Sequence, residues 1–291
     1  ADGLAIHHRD ELDGVFGQIK MGFLGRTEKE IPLEPDLAVR TTRFEAQELT
    51  QLHEGLTAFA GIPFVTDYNQ AQKALSYQTE ATKRSEPFYQ RINRKPELSE
   101  LLGNPKTREQ QIIVPVQDGP YVTWVVLNLN EFGSCLPGLL DLFPLVKSEE
   151  LKNKKPDNIL FLGAPEKTLN NDKGLGYWND EKTKIHVGVI EARNVLKYFG
   201  YVKKPILEMG NNRALEDLEA EVLPIHGSAM KITLGDDSVK YVVIVGDSGT
   251  GKSETQTALE NIKEEAEIKQ IDVIVDDMMF LRLVDTDTEP K

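Results

Sequence analysis

The residues from Gly246 to Ser253 have the types and spacing of a phosphate-binding loop, G-x-x-x-x-G-K-[ST], without a mismatch. Glycines in such a loop allow backbone angles closed to other residues, so that successive N–H groups can point inward at a phosphate. Lys252 can reach the outer phosphates of a nucleotide, and the Ser253 hydroxyl can ligate a Mg²⁺ ion between them. The candidate nucleotide-binding residues are Gly246, Asp247, Ser248, Gly249, Thr250, Gly251, Lys252 and Ser253.

The segments on either side of this loop have the patterns of a strand and a helix. Tyr241 to Val245 is a β-branched apolar run, which predicts a buried parallel strand, and Glu254 to Lys269 predicts a helix. A helix that begins near Gly251 adds its unsatisfied N–H groups and the positive end of its dipole to the loop. The alternative is a chance match in an ordinary strand–turn–helix. The context favours phosphate binding.

Two carboxylates, Asp276 and Asp277, end the apolar run that begins at Ile271, which predicts a further strand. A carboxylate at the end of a strand beside a phosphate loop can hold Mg²⁺, directly or through water, or take a proton. The competing interpretation is a solvated strand end. We predict that Asp276 and Ser253 share a Mg²⁺ or Mn²⁺ ion, and that Asp277 serves the proton of an acceptor.

A histidine is predicted to lie beside the loop. His226 belongs to the run from Glu221 to Leu234, which predicts a strand, and Asp236-Asp237 predicts a turn into the Tyr241 strand. The resulting hairpin places His226 on a strand that pairs next to the phosphate loop. His226 is therefore a candidate nitrogen ligand of the metal, favouring Mn²⁺ over Mg²⁺, and a second candidate for the proton transfer.

Composition limits the class of protein. The chain has 291 residues, 40% of them hydrophobic, which suits two domains or one large α/β domain. Its formal net charge of −13 argues against a nucleic-acid partner. The single cysteine, Cys135, excludes internal disulfides. Because no apolar run has the length of a membrane span, we expect a cytoplasmic protein without a membrane partner.

The first 220 residues have mixed patterns that predict an α/β domain for acceptor or partner recognition, followed by a nucleotide unit over 221–291. Apolar residues at three-to-four spacing predict a helix from Thr42 to Ala60. Pro115 suggests an edge position for its strand. The other predicted elements are strands at Gln111–Val116, Tyr121–Leu127, Asn158–Leu162 and Ile185–Ile190, a polar loop through Trp178, and helices within Asp67–Ile92, Leu136–Val146 and Glu191–Phe199.

Three segments together carry a family resemblance: Ile225-His-Gly-Ser-Ala229, the loop through Glu254, and Val275-Asp-Asp277. They resemble the superfamily that contains phosphoenolpyruvate carboxykinase and the bacterial HPr kinase/phosphorylase. The resemblance implies an N-terminal α/β domain followed by a P-loop mononucleotide-binding domain of the PEP carboxykinase-like type. It also implies that His226 contacts metal or phosphate, that Lys252 and Ser253 bind nucleotide and Mg²⁺, and that the aspartate pair supplies metal and acid/base positions.

The residues and the resemblance together predict an ATP- and Mg²⁺-dependent phosphoryl-transfer protein, a kinase or carboxykinase-like enzyme with Lys252, Asp277 and His226 as catalytic residues. The acceptor, a small molecule or a protein, is left open, as is the choice between ATP and another purine nucleotide. The alternative is a nucleotide-responsive binding or scaffold protein without turnover.

The chain is short beyond the loop, since 38 residues (291 − 253) follow Ser253. A nucleotide fold needs several strands and a wall for the base. We therefore expect that the nucleotide domain is completed by a C-terminal continuation or by a second chain. Alone, the chain is expected to transfer little phosphate and to present an unsatisfied strand edge.

Overall fold

A computed structural model describes residues 29–34, 37–68, 92, 95–217, 222–246 and 250–282. The chain is mixed α/β and divides into two compact units, Ala1–Gly210 and Asn211–Lys291. The division falls within a helix, earlier in the chain than the boundary at residue 220 that the sequence suggests. The helix predicted within Asp67–Ile92 lies mostly outside the described residues. No helix in the described ranges is long and apolar enough to cross a membrane.

An eight-stranded mixed sheet organises the described part of the first unit, in the order β1-β2-β3-β4-β5-β6-β8-β7. The pairs β3/β4, β5/β6 and β6/β8 are parallel, and the remaining pairs are antiparallel. The strands are β1 Lys29–Glu34, β2 Leu37–Arg43, β3 Pro63–Tyr68, β4 Gln111–Asp118, β5 Tyr121–Asn128, β6 Asn158–Ala164, β7 Leu175–Asp180 and β8 Ile185–Glu191.

Short helices connect these strands, and one long helix follows them. A six-residue 3₁₀ helix lies at Glu54–Phe59, and three-residue 3₁₀ helices lie at Gly133–Cys135 and Asn194–Leu196. The α-helices are α1 Ala46–Leu52, α2 Leu98–Leu102, α3 Pro105–Arg108, α4 Leu129–Phe132, α5 Leu136–Leu142, α6 Ser148–Leu151 and α7 Gly200–Glu216.

Aromatic rings fill the core on one face of this sheet. Phe59 and Phe64 lie edge-on to Trp124, with ring centroids 5.9 and 5.0 Å apart, and Phe161 lies 6.0 Å from Phe59. Trp124 is fully enclosed. Edge-to-face pairs of this kind add about 1 kcal/mol each beyond the burial of apolar area. The central strands are buried on both faces, which explains their nearly continuous apolar sequences.

The predicted hairpin of Gln111–Val116 and Tyr121–Leu127 is confirmed as β4 and β5. The edge position suggested by Pro115 is wrong, because β4 lies between β3 and β5. β3 pairs with β4 at a single residue pair, and the backbone near Pro115 bonds to a loop, with the Val146 N–H donating to the Pro115 carbonyl at 2.9 Å. The missing N–H of proline therefore interrupts no strand ladder.

Three other local predictions fail in the first unit. The helix predicted from Thr42 begins only at Ala46, because Thr42 continues β2, and the Glu48 carboxylate accepts the Glu45 N–H at 2.8 Å to form the new start. Residues predicted as a loop through Trp178 include β7, which pairs with β8. The helix predicted from Glu191 is a 3₁₀ turn, and the long helix α7 follows it despite its internal proline, Pro205.

The second unit is built around one long strand. β9, Val222–Leu234, pairs with β10, Val239–Val245, with β11, Ile268–Val275, and with β12, Met278–Arg282. The helix α8, Lys252–Asn261, follows the phosphate-loop sequence and ends well before Lys269, the predicted end. The predicted hairpin through Asp236-Asp237 is confirmed, with the Leu234 N–H donating to the Ser238 carbonyl at 2.9 Å.

The orientation predicted for the strand before the loop is wrong. β10 is antiparallel to β9, and its side chains are largely solvent-exposed, with 71% of Tyr241 and 62% of Val245 accessible. Every strand pair of the described second unit is antiparallel. A β-branched apolar run identifies a strand, but the direction of its partner depends on residues elsewhere in the chain.

Asp118, at the end of β4, gives the stability of the protein a predictable pH dependence. It is 6% exposed, its Oδ2 atom has no hydrogen-bond partner among the described residues, and burial raises its pKa from 3.8 to about 7. Folding therefore favours the protonated acid, and the free energy of unfolding falls as the pH rises from about 4 to about 7.

Asp118→Asn, which is neutral at every pH, is expected to remove this dependence and to raise the free energy of unfolding above pH 7 by on the order of 4 kcal/mol. Urea unfolding at pH 4.5 and 8 measures the effect. Asp141→Asn, at an exposed carboxylate on α5, is the control and should leave the pH profile unchanged. An equal response of the two variants would contradict the assignment.

Candidate functional site

Three segments distant in sequence meet at one level of the second sheet. The Gly246 N–H donates to the His226 carbonyl at 3.1 Å, which fixes the start of the loop sequence beside β9. On the other side of β9, the Gly227 N–H donates to the Asp277 carbonyl at 3.0 Å. The middle strand therefore holds the histidine, the first loop glycine and the aspartate pair in neighbouring positions.

Gly227 allows these strands to approach closely. A Cβ atom at this position would lie 2.6 Å from the Ile244 carbonyl oxygen and 2.8 Å from Cε of Met279. The first contact is with backbone, which cannot move without disrupting the sheet. Any larger residue would force β10 or β12 away from β9, and so away from His226.

Glycine is required at two positions of the loop sequence, for a different structural reason at each. A Cβ at Gly246 would lie 2.5 Å from the Thr250 Oγ1 atom, so the loop closes on itself too tightly for a side chain there. Gly251 has φ +89°, in the left-handed region, although nothing lies within 4 Å of its missing Cβ. The first glycine is required by space and the second by backbone angle. Asp247, Ser248 and Gly249 lie outside the described residues.

The helix α8 begins immediately after this loop. Gly251 occupies the N-cap position of this helix. Because glycine has no side chain, it cannot cap the first N–H groups of the helix, which are turned toward the loop. Lys252, the first helical residue, is 6% exposed. A buried ammonium group next to a helix N-terminus is an environment that favours a bound anion. The side chain of Ser253 lies outside the described residues.

His226 and Asp277 form a hydrogen-bonded pair. The His226 Nε2 atom lies 2.9 Å from Oδ1 of Asp277, and both side chains are about one-fifth exposed, 23% and 21%. Asp277 has φ +79°, an angle that costs a non-glycine residue about 1–2 kcal/mol. The angle interrupts the strand between β11 and β12 and turns the carboxylate toward the histidine.

Asp276 is in a different environment from its neighbour. It is exposed, and its Oδ1 atom accepts the Asp277 N–H at 2.9 Å. The Asp276 carboxylate thus has one oxygen turned back onto the chain. An exposed carboxylate with one fixed oxygen is well suited to bind a hydrated cation.

Metal binding by these groups has a clear geometric limit. No group of three or more His, Cys, Asp or Glu side chains in the described ranges could hold an ion by itself. The 2.9 Å between His226 Nε2 and Asp277 Oδ1 equals the spacing of about 3 Å between adjacent ligands of an octahedral ion. A cation here would therefore need ligands from outside the described side chains, such as phosphate oxygens or water.

Sequence reasoning missed two polar residues next to the site. Ser228 is fully buried in β9, and Gln256 is buried on α8. Neither the Ser228 hydroxyl nor the Gln256 Nε2 atom has a hydrogen-bond partner among the described residues. Gln256 follows Lys252 by one helical turn, and so shares its face of the helix. Their only signal in the sequence is a polar residue at a position where the strand or helix period demands burial.

Comparisons with known proteins supply no family for this arrangement. No protein-family model matches the chain, and no curated protein matches its sequence. The function of the chain must therefore be inferred from the residues of the site and from their geometry.

Proposed function

We propose that the chain binds ATP, or another purine nucleotide, with Mg²⁺ or Mn²⁺ through Gly246–Ser253 and takes part in phosphoryl transfer. We further propose that the second unit is a P-loop mononucleotide-binding domain related to phosphoenolpyruvate carboxykinase and HPr kinase. The observation that carries the proposal is the meeting of the loop start, His226 and Asp277 through two backbone hydrogen bonds to β9. The residue types of these segments suit phosphate binding, metal binding and proton transfer, and that chemistry requires them to be neighbours.

The loop and its lysine would bind the phosphates. Gly246 allows the close approach of Thr250, Gly251 allows the left-handed angle before the helix, and the uncapped start of α8 would add the positive end of a helix dipole. Lys252 would neutralise the charge that develops on the transferring phosphoryl group. Its burial strengthens this interaction, because the surrounding dielectric is lower than that of water.

The cation would lie between the phosphates and the aspartate pair. Ser253 and Asp276 are hard oxygen ligands suited to Mg²⁺. If His226 replaces its hydrogen bond to Asp277 with a metal bond, the nitrogen ligand favours Mn²⁺. Asp277 and His226, when paired with each other, form the combination of carboxylate and imidazole that handles protons in many enzymes.

Calorimetric titration of the full chain with ATP, with and without Mg²⁺, tests the proposal. We expect saturable binding that Mg²⁺ strengthens, and no heat at millimolar ATP would overturn it. Phosphate release and transfer to candidate acceptors, measured on the same sample, then separate enzyme from binder. Binding without turnover would identify a nucleotide-responsive binding protein.

Gly251→Ala should weaken nucleotide binding through backbone angle alone, since no atom obstructs the new methyl group. The left-handed backbone angle costs an alanine about 1 kcal/mol. We expect the loop of the variant to relieve this cost by changing its conformation. Gly61→Ala is a matched control, with φ +74°, equally open space and a position in the first unit. We expect both variants to lose similar stability in urea and only Gly251→Ala to lose ATP affinity. Equal affinities would contradict a role for the loop.

A further inference from the structure

We propose that His226 itself accepts the γ-phosphoryl group of the bound nucleotide and becomes a phosphohistidine. The inference rests on the proposed nucleotide binding and names the acceptor, which that proposal leaves open. Three observations support it: the orientation of the imidazole, its position beside the loop, and its accessibility relative to the nearest hydroxyl.

The first observation is the orientation of the ring. An ionised Asp277 carboxylate can only accept a hydrogen bond, so its Oδ1 atom, 2.9 Å from His226 Nε2, selects the tautomer in which Nε2 carries the proton. In a neutral imidazole the lone pair is then on Nδ1. A carboxylate that fixes the tautomer and orients the ring leaves the opposite nitrogen, with its lone pair, as the nucleophilic atom.

The second observation is position. The backbone carbonyl of His226 accepts the Gly246 N–H at 3.1 Å, so the histidine is anchored at the first residue of the phosphate loop. On the opposite edge of β9 from Gly246, the backbone carbonyl of Asp277 accepts a hydrogen bond from the Gly227 N–H. The nucleophile is therefore placed by two strands that cannot move independently, as precise phosphoryl transfer requires.

The third observation is accessibility. The His226 side chain is 23% exposed, whereas Ser228, two residues along the same strand, is completely buried. Residues two apart in a strand lie on the same face of the sheet. Of these two nucleophiles on one face, only the histidine can meet a nucleotide entering from solvent.

Phosphoryl transfer to His226 forms one bond and breaks one. The Nδ1 lone pair of His226 attacks the γ-phosphorus, and an N–P bond forms. The bond from that phosphorus to the β,γ-bridging oxygen breaks, and its electrons leave with the nucleoside diphosphate. No proton leaves the ring, and the positive charge of the phosphorylated imidazole lies against the Asp277 carboxylate. Lys252 would neutralise the leaving diphosphate, and a divalent cation held with the phosphates would supply further positive charge there.

The test is incubation of the full chain with [γ-³²P]ATP and Mg²⁺, followed by acid and alkali treatment and peptide mapping. We expect label that survives alkali, is lost in acid and maps to His226. His226→Gln keeps a donor for Asp277 and should take up no label. His53→Gln, which removes a histidine of the first unit whose Nδ1 accepts the Gly55 N–H at 2.9 Å, is the matched control and should label normally.

Asp277→Asn tests the orienting carboxylate separately and should slow labelling about 10- to 100-fold. Calorimetry on each variant keeps this proposal distinct from nucleotide binding. A chain that binds Mg·ATP but takes up no label, or is labelled on serine or aspartate, overturns the histidine acceptor and leaves nucleotide binding standing. A chain that does not bind ATP overturns both.

Discussion

Lys252→Ala is expected to abolish the rise in melting temperature that Mg·ATP gives the unmodified chain. A ligand that binds the folded state alone stabilises it by about 2.7 kcal/mol at a hundred times its dissociation constant. Lys252 is the buried cation at the start of α8, so its loss removes the charge that we propose binds the outer phosphates. Differential scanning fluorimetry with increasing Mg·ATP measures the shift.

Two further variants make that result interpretable. In Lys252→Met the methionine fills a volume similar to that of lysine but carries no charge. This variant should therefore fold even if the cavity left by alanine prevents Lys252→Ala from folding, and it too should lose the melting-temperature shift. Lys263→Ala removes a lysine just beyond α8 that pairs with Glu260 at 3.8 Å, and it should keep the full shift. A normal shift in Lys252→Met would show that the loop sequence does not bind nucleotide.

Asp276→Asn is expected to weaken ATP binding about 10- to 100-fold in Mg²⁺ while leaving binding in EDTA unchanged. The substitution removes charge but retains an oxygen that can accept the Asp277 N–H, the contact now 2.9 Å long. Structural damage is thereby kept small, and the effect reports on the metal. Calorimetric titrations with and without Mg²⁺ measure the two affinities.

Asp272→Asn is the control for this second experiment. Asp272 lies on β11 and faces Lys231 at 4.0 Å, a partly exposed ion pair that contributes little stability. Its loss should alter neither titration. If Asp276→Asn weakened binding equally in Mg²⁺ and in EDTA, Asp276 would not contact the metal, and Ser253 and His226 would be the remaining candidate ligands.

Sequence alone determined the elements whose signals are local. The strand before the loop, the hairpin through Asp236-Asp237 and the strand that ends at the aspartate pair all follow from short apolar runs and turn residues. The glycine requirements at Gly246 and Gly251 were also implied by the motif, because loop closure and a left-handed angle are properties of a few consecutive residues.

The tertiary structure decided everything that depends on pairing between distant segments. β10 is antiparallel and exposed, β4 is interior, and β7 exists because β8 offers it a partner; no local pattern encodes these outcomes. The same holds at the site. Sequence selected His226 and Asp277 separately, but their hydrogen bond depends on the register of β9 with β12 and on a positive φ at Asp277. Register is set by contacts along the whole sheet, so a window of neighbouring residues cannot contain it.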